Sequence, residues 1–236
     1  MKIGIDARMM GPENTRGLGR YIQELTAAMV QIAPEHEFVL VVRSPDHPLS
    51  DYPNVRTVVA DVPWYSWQEQ RQMPRVLRDL KTDVVHIPHW NVPLTYSGPL
   101  VVTIHDLLLR HQPASAKAST RSWPVRMIKR AGFRLVLDHA IRVARRICVP
   151  TEFVQRDLEH LYPKTMGKVI VTGEGITTLN SKSKIQKAIP NEGRQDVRTL
   201  FVVRGQCLPS QASRFVIGSL ARSLAALAGH GTCPRR

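Results

Sequence analysis

Apolar runs of strand length recur along the first three-quarters of the chain. They fall at residues 2–6, 37–43, 55–60, 83–88, 100–104, 146–150 and 168–172. Amphipathic stretches separate them. Leu18, Ile22, Leu25, Met29 and Ile32 repeat at helical spacing, which predicts a helix over 18–33 that Pro34 stops. Ser66-Trp-Gln-Glu69 has the spacing of a capping box and opens a second helix to about residue 80. A long helical region spans 120–145, and Thr151 is a good N-cap for a helix closing near Tyr162-Pro163. The strands are apolar on both faces, as strands covered from both sides must be. The expected fold over residues 1–176 is therefore α/β: a doubly wound, mostly parallel sheet with helices on both faces. Ligands of such sheets bind beyond the carboxyl ends of the strands, so the residues just after each strand matter most.

Composition narrows the classes. The longest apolar runs are far short of the ~20 residues that span a bilayer. The run after Lys2 is broken by Asp6 and Arg8, unlike a signal peptide. A cytoplasmic protein is expected. Cys148, Cys207 and Cys233 show neither metal-ligand spacing nor a disulfide framework, and Cys148 reads as a buried small hydrophobe. The 33 Lys and Arg against 19 Asp and Glu leave a net charge of +14, and residues 177–236 alone hold 10 basic against 2 acidic residues. A basic chain invites a nucleic-acid reading. No basic-aromatic interleaving or known nucleic-acid module supports it, so no nucleic-acid partner is expected.

Several strand exits carry candidate chemistry. Gly17-Leu-Gly-Arg20 opens the first helix. Glycines there let backbone N–H groups approach an anion, and Arg20 adds a planar donor fork, although the same turn could serve only to start a helix. His105-Asp106 follows the strand at 100–104, placed to bind a hydroxyl or donate a proton; otherwise Asp106 caps the next turn. His89, Trp90 and Asn91 follow the strand at 83–88, and such a polar and aromatic group suits a sugar; His86, inside the strand, is structural. Residues 121–146 combine Arg121, Arg126, Lys129, Arg130, Arg134, Arg142, Arg145 and Arg146 with Val125, Ile128, Leu135, Val136 and Val143. This is either a solvated helix face or an amphipathic basic surface for the inner face of an anionic membrane.

Six segments, in order, resemble the N-terminal domain of the group 1 (family 4) glycosyltransferases: Ile3-Gly-Ile-Asp-Ala-Arg8, Gly17-Leu-Gly-Arg-Tyr21, Asp83-Val-Val-His-Ile-Pro-His-Trp-Asn-Val-Pro93, Val102-Thr-Ile-His-Asp-Leu107, Val149-Pro-Thr-Glu-Phe153 and Val171-Thr-Gly-Glu-Gly-Ile176. The resemblance implies the N-terminal half of a GT-B fold, in which two Rossmann-like domains face each other. It implies retaining transfer of a sugar from a nucleotide-diphosphate donor to a glycan or lipid acceptor, as in polysaccharide biosynthesis, with no metal or other cofactor. By the same resemblance Gly17, Gly19 and Arg20 face the donor diphosphate, His105 with Asp106 sits at the transferred sugar, and Thr151-Glu152 line the cleft. His89, Trp90 and Asn91 fall to the acceptor side.

The family's second, donor-binding domain has no recognisable counterpart in residues 177–236. Read one nucleotide later, codons permitted by Phe201 to Gln211 spell Leu-Leu-Tyr-Val-Gly-Asn-Ala-Tyr-Pro-His-Lys, similar to that domain's opening strand and loop. Residues 177–236 are thus expected to be a basic, disordered or out-of-frame remnant, shifted between residues 176 and 198, leaving a truncated chain inactive alone. A stand-alone acceptor-binding module, or a subunit paired with a separate donor-binding domain, is the alternative. Sequencing the gene from codon 170 past the stop should show that a one-nucleotide shift restores Leu-Leu-Tyr-Val-Gly and a long open frame; a sound frame followed by unrelated DNA would exclude it.

Overall fold

The computed structural model describes residues 1–10, 17–45, 49–111, 123–173, 202–203 and 206–207. Its centre is a seven-stranded, all-parallel sheet. The strands are β1 (Lys2–Asp6), β2 (Glu37–Val42), β3 (Val55–Val59), β4 (Val84–Ile87), β5 (Leu100–Thr103), β6 (Arg146–Val149) and β7 (Val169–Val171). Their order is β3-β2-β1-β4-β5-β6-β7, so the chain winds outward from β1, crosses back, and winds outward again from β4. The switch point lies between β1 and β4, where Ile3, Gly4 and Ile5 pair with Val84, Val85 and His86. A ligand of such a sheet is held at that point, beyond the carboxyl ends.

The helices are α1 (Leu18–Ile32), α2 (Trp67–Asp79), α3 (Leu108–His111), α4 (Trp123–Val143) and α5 (Glu152–Leu161). Alternation along each strand sends side chains to two cores. On one face Ile3, Ile5, Phe38, Leu40, Val84, Val101 and Cys148 pack with Ile22, Met29 and Val30 of α1. On the other, Val39, Val41, Val85, Val102, Ile147 and Val149 pack with Met73 and Leu77 of α2, Leu137 and Ala140 of α4, and Leu158 of α5. Central strands are buried on both faces, whereas the edge strands β3 and β7 are half exposed. Burial pushes the Cys148 thiol up to about 12, so it stays protonated and packs as an apolar group.

The predicted caps form. Ser66 Oγ accepts the Glu69 N–H at 3.0 Å and Thr151 Oγ1 accepts the Val154 N–H at 3.2 Å. Lys168 Nζ donates to the carbonyls of Ile141, Arg142 and Ala144 at 2.9, 3.4 and 3.2 Å, which closes the C-terminal end of α4. The four-residue α3 is absent from the sequence expectation, since one turn has no periodicity to read. Arg121, the side chain of Arg126 and residues 174–176 lie outside the described residues. So do the expectations for residues 177–236, apart from β8 (Val202–Val203) and β9 (Gln206–Cys207), which pair antiparallel.

His86 lies inside β4, fully buried, with Nε2 2.9 Å from Thr103 Oγ1 and Nδ1 without a hydrogen-bond partner. Burial, with a smaller repulsion from His105, pulls its pKa from 6.5 to about 4. The unfolded chain therefore takes up this proton at a higher pH than the native chain. The neutral ring's contribution to stability is complete above pH 6.5 and is lost as pH falls from 6.5 towards 4. Urea unfolding followed across that window should show stability falling with acid, and His86→Asn should flatten the slope; an unchanged slope would contradict this assignment.

Candidate functional site

The carboxyl ends of β1, β4, β5 and β6 lie side by side along one edge of the sheet. Beyond β1, Asp6 and Arg8 turn inward. Arg8 is 2% exposed, Asp6 8% and Glu69 of α2 0%. The Arg8 Nε and Nη2 donate to the two Asp6 carboxylate oxygens at 2.8 and 2.7 Å, Nη2 also donates to Glu69 Oε1 at 2.7 Å, and Nη1 donates to the Val62 carbonyl at 3.0 Å. Burial alone would lower the Arg8 pKa; the two carboxylates outweigh it and raise it, so the charge is permanent. The other Glu69 oxygen accepts the Asn91 Nδ2–H at 2.6 Å and the Tyr65 N–H at 2.7 Å. This ion cluster ties together the β1 exit, the β3–α2 loop and the β4 exit. A small pocket beside it is lined by Met9, Ile22, Pro88 and His89.

At the β4 exit the Asn91 N–H donates to His89 Nδ1 at 3.3 Å, which leaves the neutral ring's proton on Nε2, 3.4 Å from the Tyr65 hydroxyl. Burial first, then His105, pulls the His89 pKa to about 4, so the ring is neutral near pH 7. Trp90 lies 4.8 Å from the His89 ring, 5.6 Å from Tyr65 and edge-on to Phe133 at 4.6 Å.

At the β5 exit, His105 Nε2 is 3.2 Å from the Pro88 carbonyl, which accepts the proton there. The imidazole meets Tyr21 of α1 edge-to-face at 4.7 Å. That contact brings the N-terminus of α1 to the strand exits. Gly17, the N-cap, has φ 57°, a conformation that favours glycine. The first turn has neither a side-chain cap nor an acidic residue, in contrast to α2 with Ser66 and Glu69 and α5 with Thr151 and Glu152. The partial positive charge of a helix N-terminus is suited to an anion. Arg20 lies on the same turn, 4.0 Å from Glu24.

The predicted residues divide by environment. His89 and Trp90 meet at the β4 exit, and His105 at the β5 exit meets Tyr21, on the helix turn that Gly17 and Gly19 open. Asp106 accepts the Leu108 N–H at 2.9 Å and so caps α3. The Asn91 amide is buried against Glu69, whereas Thr151 and Glu152 stand exposed at the β6 exit. Sequence reasoning missed Asp6, Arg8, Tyr65 and the second role of Glu69. Two charges directly after an apolar strand were the available signal for the first two. Among the described residues no three His, Cys, Asp or Glu side chains come together as metal ligands, and no helix is long and apolar enough to cross a membrane.

Removing the Arg8 guanidinium leaves two carboxylates buried together. Arg8→Met should cost about 3–5 kcal/mol, read by urea unfolding. Arg8→Lys should rescue it only in part, because one ammonium cannot reproduce the planar fork. A loss within ~0.5 kcal/mol, typical of surface changes, would show that the cluster does not hold the site.

Among solved structures, the chain is similar to Phytolacca americana UGT2 complexed with UDP-2fluoro-glucose and pterostilbene, with TM-score 0.42 and 14% identity over 79% of this chain and 57% of that one. Apo UGT2 gives TM-score 0.42 and 14% identity over 80% and 55% of the respective chains. The chain thus spans a little over half the length of these proteins. No curated protein matches it significantly in sequence. The model of the family described as Glycosyltransferase Family 4 matches residues 15–178, well over half of the sequence, and the chain belongs to that family.

Proposed function

We propose that the chain carries the acceptor-side half of a retaining glycosyltransferase, one that moves a sugar from a nucleotide-diphosphate donor to a glycan or lipid acceptor without a metal. The observation that supports this reading is the meeting of the α1 N-terminus with His105, through Tyr21, at the carboxyl edge of the sheet. In this reading the donor diphosphate lies against the N–H groups of Gly17-Leu-Gly-Arg20, with Arg20 as its cation. Charge growing on the leaving phosphate is then stabilised by fixed dipoles that need no reorganisation. His105 hydrogen-bonds the transferred sugar and Asp106 steadies the turn beneath it. Thr151 and Glu152 line the far side, while His89 and Trp90 face the acceptor and Asn91 holds the His89 ring in place. Ile128 and Leu135 of α4 are 73% and 57% exposed beside Lys129 and Arg134, which suits peripheral contact with an anionic membrane.

Calorimetry of the full chain with UDP-, GDP- and ADP-sugars in EDTA tests the donor site. At least one should bind, and Gly17→Val, which places a β-branched residue at positive φ, should weaken it by about tenfold or more. Binding that needs a divalent metal, or that ignores Gly17→Val, would contradict the assignment. Glycoside binding with no nucleotide-sugar binding would favour an acceptor-binding module. Co-sedimentation with anionic but not neutral phospholipid vesicles checks the membrane surface, and equal sedimentation with both would remove it. In the protein with its reading frame restored, acceptor product formed with the donor's anomeric configuration would establish retention, and the opposite anomer would exclude it.

A further inference from the structure

Tyr65 occupies a backbone conformation that disfavours it. Its φ is 55°, where a Cβ crowds the following carbonyl oxygen. Among the described residues Lys81, φ 50°, is the other non-glycine in this region. There the cause is routine: Lys81 follows Leu80, the C-cap of α2, and helices commonly end on a left-handed residue. Tyr65 instead precedes the N-cap Ser66, where an extended backbone would serve. Its ring gains little from burial, since the residue is 61% exposed.

The strained residue is held by the ion cluster. The Glu69 oxygen that accepts the Tyr65 N–H belongs to a carboxylate whose other oxygen binds Arg8. The effect is to aim the ring at the β4 exit. Its hydroxyl lies 3.4 Å from His89 Nε2, and its ring lies 5.9 Å from His89 and 5.6 Å from Trp90. Strain that surrounding groups enforce, and that presents an exposed ring at a strand exit, points to a ligand. The group combines an apolar face with hydrogen-bonding edges, matching a ligand that has both.

We propose that Tyr65 is the stacking residue for the acceptor: its ring, beside His89 and Trp90, packs against the C–H face of a pyranose, and its hydroxyl and the His89 imidazole bind that sugar's hydroxyl rim. This rests on the reading of the β4 exit as the acceptor side. It assigns the acceptor a sugar ring at its receiving end, whether that ring is carried by a glycan or by a lipid.

The test uses the full chain with the methyl α- and β-pyranosides of glucose, galactose and mannose, followed by saturation-transfer NMR titration. At least one should bind the wild type. Tyr65→Phe should stay within about threefold, and Tyr65→Gly should weaken binding by about tenfold or more. The Tyr65→Gly melting temperature should equal or exceed that of the wild type, because glycine accepts the positive φ freely. A Tyr65 kept only for structure gives the reverse, a lowered melting temperature with glycoside binding unchanged, and that result overturns the proposal. If His89→Ala abolishes glycoside binding while Tyr65→Gly does not, the role of Tyr65 falls and the acceptor side stands. If none of the six glycosides binds the wild type, both fall.

Discussion

A single guanidinium, that of Arg8, holds the carboxyl edge of this sheet in shape. Two carboxylates and a backbone carbonyl meet it out of water, and each comes from a different segment. Burying such charges is costly, and the cluster persists because its hydrogen bonds are nearly saturated. The directional bonds fix loops that apolar contacts alone would leave free to slide. Through Glu69 they set the positions of Tyr65 and Asn91, and through Asn91 that of the His89 ring. Because the cluster sits at the switch point between β1 and β4, it stabilises the place where a doubly wound sheet offers a ligand site.

Around that anchor the sheet edge carries two chemically different neighbourhoods. At the α1 N-terminus and His105 stand a helix dipole and an arginine, groups that suit an anion. At the β4 exit stand aromatic faces and a neutral imidazole, which suit a ligand with both apolar and hydroxyl surfaces. His105 lies between them, joined to Tyr21 on one side and to the Pro88 carbonyl on the other. Under the proposed function a sugar leaves a phosphate and reaches a second hydroxyl, a transfer that needs both neighbourhoods close together.

Much of this was legible in the residues. The seven parallel strands announce themselves as largely apolar runs, because burial of the central strands on both faces leaves few polar positions. Ser66 and Thr151 cap their helices as their spacing requires, since a cap is a contact within one turn. Glu69 shows where local reasoning stops. Its place in the capping box is right, yet its carboxylate accepts from Tyr65 rather than Ser66 and spends its second oxygen on Arg8, 61 residues away. Asp106 shows the converse. It stands beside a histidine at a strand exit, as a catalytic partner would, and one of its carboxylate oxygens accepts the Leu108 N–H, a local bond that the neighbouring histidine does not reveal.

The sequence by itself determined what depends on neighbours a few residues apart: the strands, the longer helices, their caps, and the strand exits where chemistry belongs. Tertiary structure alone decided which exits face one another, that Tyr21 leans on His105, and that Asp6, Arg8 and Glu69 form one buried cluster. It also decided that Tyr65 is turned to positive φ. The physical reason is range. Periodicity and capping arise from the backbone's own geometry, whereas the partner of a buried charge or ring is whatever the packed sheet brings within 3 to 5 Å of it.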